Sequence, residues 1–177
     1  MKILALSGSS SSKSLNHRLL RYATSLASQE HPIQTVSVRD IDAPIFSVDI
    51  EAESGIPADI ETLHLDARSA DAIILATPEH NGGMPAMLKN VIDWLSRVQS
   101  EKKWCARPVL LLSTSPGGRG GQTNLQHLAT IMPFWGAEIG GSFSLGRFYD
   151  AWDMEQNRPT DPDQAARIQA LIDGLIA

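Results

Sequence analysis

Two hydrophobic periods alternate along this chain, and that alternation leaves few architectures open to it. Short apolar runs lie at Ile3–Leu6, Ile33–Val38, Ala72–Ala76, Val109–Leu112 and, more weakly, Ile139–Phe143. Several are continuously apolar, as strands covered on both faces are. Between them, apolar residues recur every three or four positions. Leu15, Leu19, Leu20, Ala23, Leu26 and Ala27 predict one helix, and a less regular one is expected over Asp59–Arg68. Met87, Leu88, Val91, Ile92 and Leu95 form a cleaner stripe, with Pro85 placed for a first helical turn. Leu125, Leu128, Ala129 and Met132 predict a helix stopped at Pro133, and Ile168, Leu171, Ile172, Leu175 and Ile176 predict the last.

Strand and helix alternating five times implies βαβ units with right-handed crossovers. The expected fold class is α/β, a three-layer sandwich whose five-stranded parallel sheet has helices on both faces. No linker, composition break or repeat divides residues 1–177, so one domain is expected. Five strands with a ligand loop after the first favour the order 2-1-3-4-5 over a six-stranded dinucleotide fold.

Charge and composition narrow the function. A formal net charge of -5 argues against a nonspecific nucleic-acid binder, which carries a basic face. No apolar run approaches the roughly 18 residues of a membrane span. The N-terminus has no basic region or cleavage site of a secretory signal, and the single cysteine, Cys105, fits a reducing compartment, so a cytoplasmic location is expected. The five histidines (His17, His31, His64, His80 and His127) are scattered without a ligand cluster, so no metal site is expected.

In such a sheet, ligands bind outside the carboxyl ends of the strands. Three loops there are chemically unusual. The first, Ser7-Gly8-Ser9-Ser10-Ser11-Ser12-Lys13-Ser14-Leu15-Asn16, brings hydroxyls and backbone amides to a helix N-terminus, which suits a phosphate. It matches neither G-x-x-x-x-G-K-[ST] nor G-x-G-x-x-G, and the plainer reading is a Ser-rich turn with Ser14 or Ser12 as N-cap. The second, Thr77–Pro85, has proline and glycine shaping a wall for a flat heterocycle, or a turn in which Asn81-Gly82 supplies positive φ. The third, Ser113–Gly121, has four glycines in its last five positions and lets backbone approach a ligand closely, or is an exposed loop.

These residues resemble the NADPH-dependent FMN reductase family, which includes bacterial quinone, azo and chromate reductases. The stretch TPEHNGGMPAMLKNVIDWLSR (Thr77–Arg97) is similar to the family's P-x-Y-N-x-x-x-P-x-x-L-K-N-x-I-D-W-L-S-R segment. Ser7-Gly8-Ser9 with Ser14 and Asn16 resembles its phosphate loop, G-S-x-R-x-x-S-x-N, and Ser115–Gly121 its third flavin loop. The resemblance implies a flavodoxin-like fold, FMN as cofactor, NADPH or NADH as co-substrate, and a homodimer or homotetramer. The implied activity is ping-pong hydride transfer through FMN N5 to a small acceptor: a quinone, an azo or nitro compound, chromate or free flavin. No side chain is expected to be catalytic, because the flavin carries the chemistry.

By the same resemblance, Ser9, Ser14 and Asn16 are expected to hold the FMN phosphate, with Ser10, Ser11 and Leu15 beside them. Pro78, Glu79, His80 and Asn81 would line the isoalloxazine ring, and Thr114, Ser115 and Gly117 would approach its pyrimidine edge. The chain departs from the pattern twice, with Ser11 where the family usually carries arginine and His80 where it often has tyrosine. A hydrogen bond to a charged group contributes about 1.5–3 kcal/mol, so the first change would weaken FMN by roughly ten- to a hundredfold. Lys13 or Arg18 would offset part of that.

Four further readings concern packing. Lys89 and Asp93 form an i,i+4 pair, Trp94 is structural, and Cys105 is a buried inert thiol. The aromatics of Phe148-Tyr149-Asp150-Ala151-Trp152 pack against the C-terminal helix or cover the flavin edge. Two other functions compete with the reductase: a flavodoxin-like electron carrier, and a non-enzymatic flavin-binding or regulatory module.

Overall fold

The computed structural model describes residues 1–27, 31–99 and 103–177. Its centre is a five-stranded sheet of β1 (Ile3–Ser7), β2 (Ile33–Ser37), β3 (Ala72–Ala76), β4 (Pro108–Thr114) and β5 (Glu138–Leu145). The order is β2-β1-β3-β4-β5 and every pairing is parallel, as expected. β3 is central and β1 lies between it and the edge strand β2, with Ile3 level with Ile33 on one side and Ala72 on the other.

Because side chains alternate faces along a strand, a strand between two helical layers must be apolar at every position. Leu4, Leu6, Ile73, Leu75, Val109 and Leu111 point to one face, where they meet α3 (Ala58–Ser69), α4 (Ala86–Leu95) and α5 (Gln122–Ile131). Ile3, Ala5, Ala72, Ile74, Leu110 and Leu112 point to the other, against α1 (Leu15–Ser25) and α7 (Pro162–Ile176). At about 1.5–3 kcal/mol for each large apolar side chain fully buried, these two layers dominate stability. The exposed Lys89–Asp93 pair, 2.6 Å apart on α4, contributes only about 0.3–0.5 kcal/mol.

The helices depart from the sequence periodicity in a few places. A short helix, α2 (Val48–Ser54), precedes α3 and buries no residue, so it left no apolar stripe to read. Pro85 caps α4 from outside with extended backbone (ψ 143) rather than occupying its first turn. The α-helix before Pro133 ends at Ile131, and the chain continues as a 3-10 turn, Met132–Trp135, that accommodates proline near its start. β5 runs longer than its apolar centre and carries a register shift opposite Val109/Leu110. After it come a one-turn helix, α6 (Phe148–Ala151), and a small antiparallel ribbon of β6 (Trp152–Asp153) and β7 (Arg158–Pro159). Among the described residues no helix is long and apolar enough to cross a membrane, and no cluster of His, Cys, Asp or Glu could hold a metal ion.

Candidate flavin site at the carboxyl edge of the sheet

The first loop leaves β1 through Gly8, whose amide donates to the Ala76 carbonyl at 2.8 Å. A Cβ there would stand 2.8 Å from the Thr77 side chain and 2.9 Å from Leu88, so only glycine lets the loop lie against β3. The serines then wind the loop on itself. Ser9 Oγ accepts from the Ser11 amide, Ser11 Oγ from the Lys13 amide, and Ser14 Oγ, the N-cap, from the His17 amide at 3.1 Å. Ser10 to Lys13 remain exposed.

The N-terminus of α1 is electrostatically open to an anion. Its first turn holds no acidic residue, and His17 has its pKa lowered by burial and by the nearby Arg21 and Arg39 guanidiniums. Lys13 and Arg18 are exposed beside it, with no ion-pair partner among the described residues. Hydroxyls, a helix N-terminus and two nearby cations form a donor set that fits the phosphate of FMN.

The other two loops are fastened to the first. Asn16, buried in α1, accepts from the Thr114 amide and donates to the Thr114 carbonyl, both at 2.9 Å. Its carboxamide therefore clamps the first loop to the end of β4. Thr114 turns its hydroxyl to the Leu145 carbonyl, and Ser113 donates to the Thr77 carbonyl at 2.7 Å.

In the second loop, Asn81 (φ 53) and Gly82 (φ 82) form the positive-φ turn, closed by paired bonds between His80 and Gly83. Glu79 reaches across to the third loop's helix, where its carboxylate accepts from the Asn124 amide at 3.0 Å and caps α5. Asn124, fully buried, donates to the Pro78 carbonyl at 2.9 Å. No sequence motif points to Asn124, and the one signal available is a polar residue beside the apolar stripe of α5.

The third loop packs tightly. Ser115 Oγ bonds the exposed Gly117 carbonyl. Gly121 (φ 81) caps α5, and a Cβ on it would lie 2.0 Å from Ser113 Oγ. The expected residues Ser9, Ser10, Ser11, Ser14, Leu15, Asn16, Pro78, Glu79, His80, Asn81, Thr114, Ser115 and Gly117 thus lie in three adjoining loops, or in the first turn of α1 and the last residue of β4 that flank them, at one edge of the sheet. The side chains of Asn16, Glu79 and Thr114 brace those loops against one another.

Beside these loops the structure adds an element that the sequence did not announce. The strap after β2, residues 41–47, is tied to α4: Asn90 accepts from the Phe46 amide at 2.7 Å and donates to the Pro44 carbonyl, to which Trp94 Nε1 also donates at 2.8 Å. Phe46 meets the Trp94 ring edge-on. Under the strap is an apolar cleft of about 400 Å³ whose lining includes Ser10, Ile41, Ile45, His80, Pro85 and Met87. It therefore joins the first loop to the second, with His80 on its wall.

The aromatic segment resolves towards packing. Phe148 and Trp152 are buried and stacked, centroids 5.1 Å apart, in the layer that holds α7, while Tyr149 is exposed. Cys105 is fully buried, and burial pushes its thiol pKa up to about 12.

Comparison with known proteins agrees with this architecture. The family model for NADPH-dependent FMN reductase matches residues 1–150. A quinone reductase of Escherichia coli strain K12 is 34% identical over 140 residues, covering 78% of this chain and 73% of that protein. An NADPH:quinone oxidoreductase of Arabidopsis thaliana is 34% identical over 135 residues, covering 76% and 67%. Among solved structures, the flavoenzyme NAD(P)H:(acceptor) oxidoreductase FerB of Paracoccus denitrificans superposes with a TM-score of 0.79 at 25% identity, covering 99% of this chain and 94% of that one. An FMN-dependent NADH-azoreductase of Bacillus anthracis, solved with FMN, shares the fold at a TM-score of 0.68 and 14% identity, covering 100% of each chain. A flavodoxin-like fold, three braced loops that fit a flavin phosphate and a family match over most of the length converge: the chain belongs to the NADPH-dependent FMN reductase family, whose members are FMN-dependent oxidoreductases using NAD(P)H.

Proposed function

We propose that this chain, acting as one flavodoxin-like unit, takes electrons from NAD(P)H and passes them to a small, flat cyclic acceptor of the quinone type. The observation that carries this reading is the apolar cleft under the 41–47 strap, which opens onto both Ser10 and His80. A flat, largely apolar ring gains by burial there, and a strongly polar oxidant such as chromate does not.

FMN, when bound, supplies hydride acceptance from the nicotinamide and donation to the acceptor. The chain's residues bind, orient and exclude water. Ser9, Ser10, Ser11 and Ser14, with the first amides of α1, hold the phosphate, and Leu15 and Asn16 fix the loop that carries them. Pro78, Glu79, His80 and Asn81 present the second loop's backbone along the ring. Thr114, Ser115 and Gly117 would approach the pyrimidine edge, with Thr114 anchored to Asn16 and Leu145 as the base of the loop and the Gly117 amide as the N–H donor that would stabilise charge gathered on reduction. Were reductant and acceptor to take turns in the same cleft beside His80, the kinetics would be ping-pong. Assembly as a homodimer or homotetramer belongs to the same proposal, with exposed Ile45 and Met87 at the cleft mouth as surface to be covered.

The test is an absorbance spectrum of purified protein with and without added FMN, followed by anaerobic NADPH and then a quinone. Bound-flavin bands that bleach with NADPH and return with quinone are expected. A chain that stays flavin-free at micromolar FMN overturns the reading. A stable one-electron state with negligible NADPH oxidation would favour the electron carrier instead.

A further inference from the structure

The lining charge of the surface clefts reverses from one edge of the sheet to the other. Beside β2, a cleft of about 260 Å³ is lined by Asp40, Asp59 and Asp66, with no lysine or arginine. Beside β5, a crevice of about 440 Å³ lies between α5, β5 and α7. Its lining includes Arg119, Arg167, Ser142, Ser144, Gln122 and Gln126, with no aspartate or glutamate. In a chain with 20 acidic residues against 15 lysines and arginines, a crevice without a carboxylate is a local arrangement rather than a reflection of composition.

The arginines there are held without counter-ions. The Arg119 side chain bonds Thr123 Oγ1, the Arg167 guanidinium stacks 5.5 Å over the Phe143 ring, and neither forms an ion pair among the described residues. Stacking and a hydroxyl contact orient a guanidinium while leaving most of its planar donors for a ligand. Arg147 adds a third cation above the same loop. Its backbone is left-handed (φ 50), rare for a residue with a side chain, and its Nε lies 3.9 Å from where a Cβ on Gly118 would be. Gly118 and Arg119, where the crevice begins, directly follow Gly117 of the proposed flavin wall.

We infer that this crevice binds a phosphate monoester, and that in the working enzyme it takes the 2′-phosphate of NADPH, an assignment that rests on the flavin reading above. Forked arginine donors with the Ser142 hydroxyl match a tetrahedral dianion, while Ser144 donates to the Arg119 carbonyl and steadies the loop. A nicotinamide laid on the flavin must carry its adenylate end onto neighbouring surface. The β2 side offers carboxylates and the His80 side an apolar cleft, so a dianion is favoured on the side of the third loop.

The test titrates adenosine 2′,5′-bisphosphate, adenosine 5′-monophosphate and inorganic phosphate into the full-length protein with FMN added, by calorimetry. The bisphosphate is expected to bind at least about tenfold more tightly than either other probe, and Arg119→Gln and Arg167→Gln to weaken it by about tenfold each. Gln126→Glu, which adds a carboxylate on the exposed face of α5, is expected to weaken it likewise. The KM for NADPH rises in these variants while that for NADH stays within about twofold. Inorganic phosphate binding as tightly as the bisphosphate would make this an adventitious anion site only and overturn the proposal. So would a bisphosphate affinity unchanged in Arg119→Gln and Gln126→Glu, which keeps the test sound if Arg167→Gln, losing its stacking on Phe143, fails to fold. Flavin absorbance in the same samples separates the two readings. Protein that holds FMN but binds no bisphosphate overturns this proposal alone, whereas protein that binds the bisphosphate without FMN supports the crevice and overturns the flavin reading.

Discussion

Ser14 serves the fold and the proposed cofactor with one oxygen, since the Oγ that accepts the His17 amide also faces the α1 N-terminus. Ser14→Ala removes an N-cap, a loss of about 1 kcal/mol, which for a chain of this size lowers the Tm by about 2–4 °C. FMN affinity should fall along with it, and thermal melts beside flavin titration read both. Two glycines separate steric from conformational demand. Gly55 (φ 74) has nothing within 4 Å of an added Cβ, whereas Gly121 (φ 81) would place one 2.0 Å from Ser113 Oγ, the hydroxyl bonded to the Thr77 carbonyl. Gly55→Ala should cost about 1–3 kcal/mol of backbone strain, because positive φ with ψ -161 is a conformation essentially reserved for glycine. Gly121→Ala, in the αL region, should add about 1–3 kcal/mol of overpacking to its own backbone strain, and should also disturb flavin binding by moving the third loop against the second. Urea midpoints compare the pair, and equal losses would count against the close fit.

At the scale of elements, α4 is the joint on which the site turns. Asn90 and Trp94 tie the strap that roofs the apolar cleft, across 44–50 positions of sequence. Asn90→Leu removes two strap hydrogen bonds of about 1 kcal/mol each, so proteolysis within residues 41–47 should quicken by about tenfold or more under brief digestion, while the core stays folded. An unchanged cleavage rate would mean that the Trp94 bond and the Phe46 ring contact suffice. The same element marks what the sequence disclosed. The strands and the α4 stripe follow from hydrophobic period and the i,i+4 pair from spacing, because these are local signals, while the strand order follows from fold-level rules once five strands and a ligand loop after the first are in hand. Asn90 to Pro44 has no period, and neither has Asn16 to Thr114 nor Asn124 to Pro78. Such long-range polar ties are set by which loops the topology brings together, so the three loops could be located from the sequence while their bracing could not. Glu79 illustrates the gap. Family likeness implies a place along the ring, whereas its carboxylate caps α5, so any contact with the proposed flavin would have to come from its backbone.

For the molecule as a whole, acid is the simplest probe of how the layers hold together. His64, buried in α3 with Nδ1 unpartnered among the described residues, has its pKa lowered by burial and then by Arg68. The native state therefore keeps it neutral where the unfolded chain, titrating near pH 6.5, already takes up a proton. Its contribution to stability is complete above about pH 6.5 and is lost as pH falls from there towards the lowered native pKa. Calorimetric Tm should be flat from pH 8 to 7 and decline below about 6.5, with His64→Gln declining less steeply; parallel curves would place the acid sensitivity elsewhere. Cys105 lies in the same layer, just before β4 at the amino-terminal edge of the sheet, opposite the edge where the loops gather. Quinones arylate thiolates as well as accept electrons, so a catalyst of quinone reduction handles a reagent capable of disabling it. With its only thiol held protonated at physiological pH and sealed from solvent, this chain offers such a reagent no thiolate, and under the proposed quinone chemistry its working lifetime would be protected by packing rather than by the absence of cysteine.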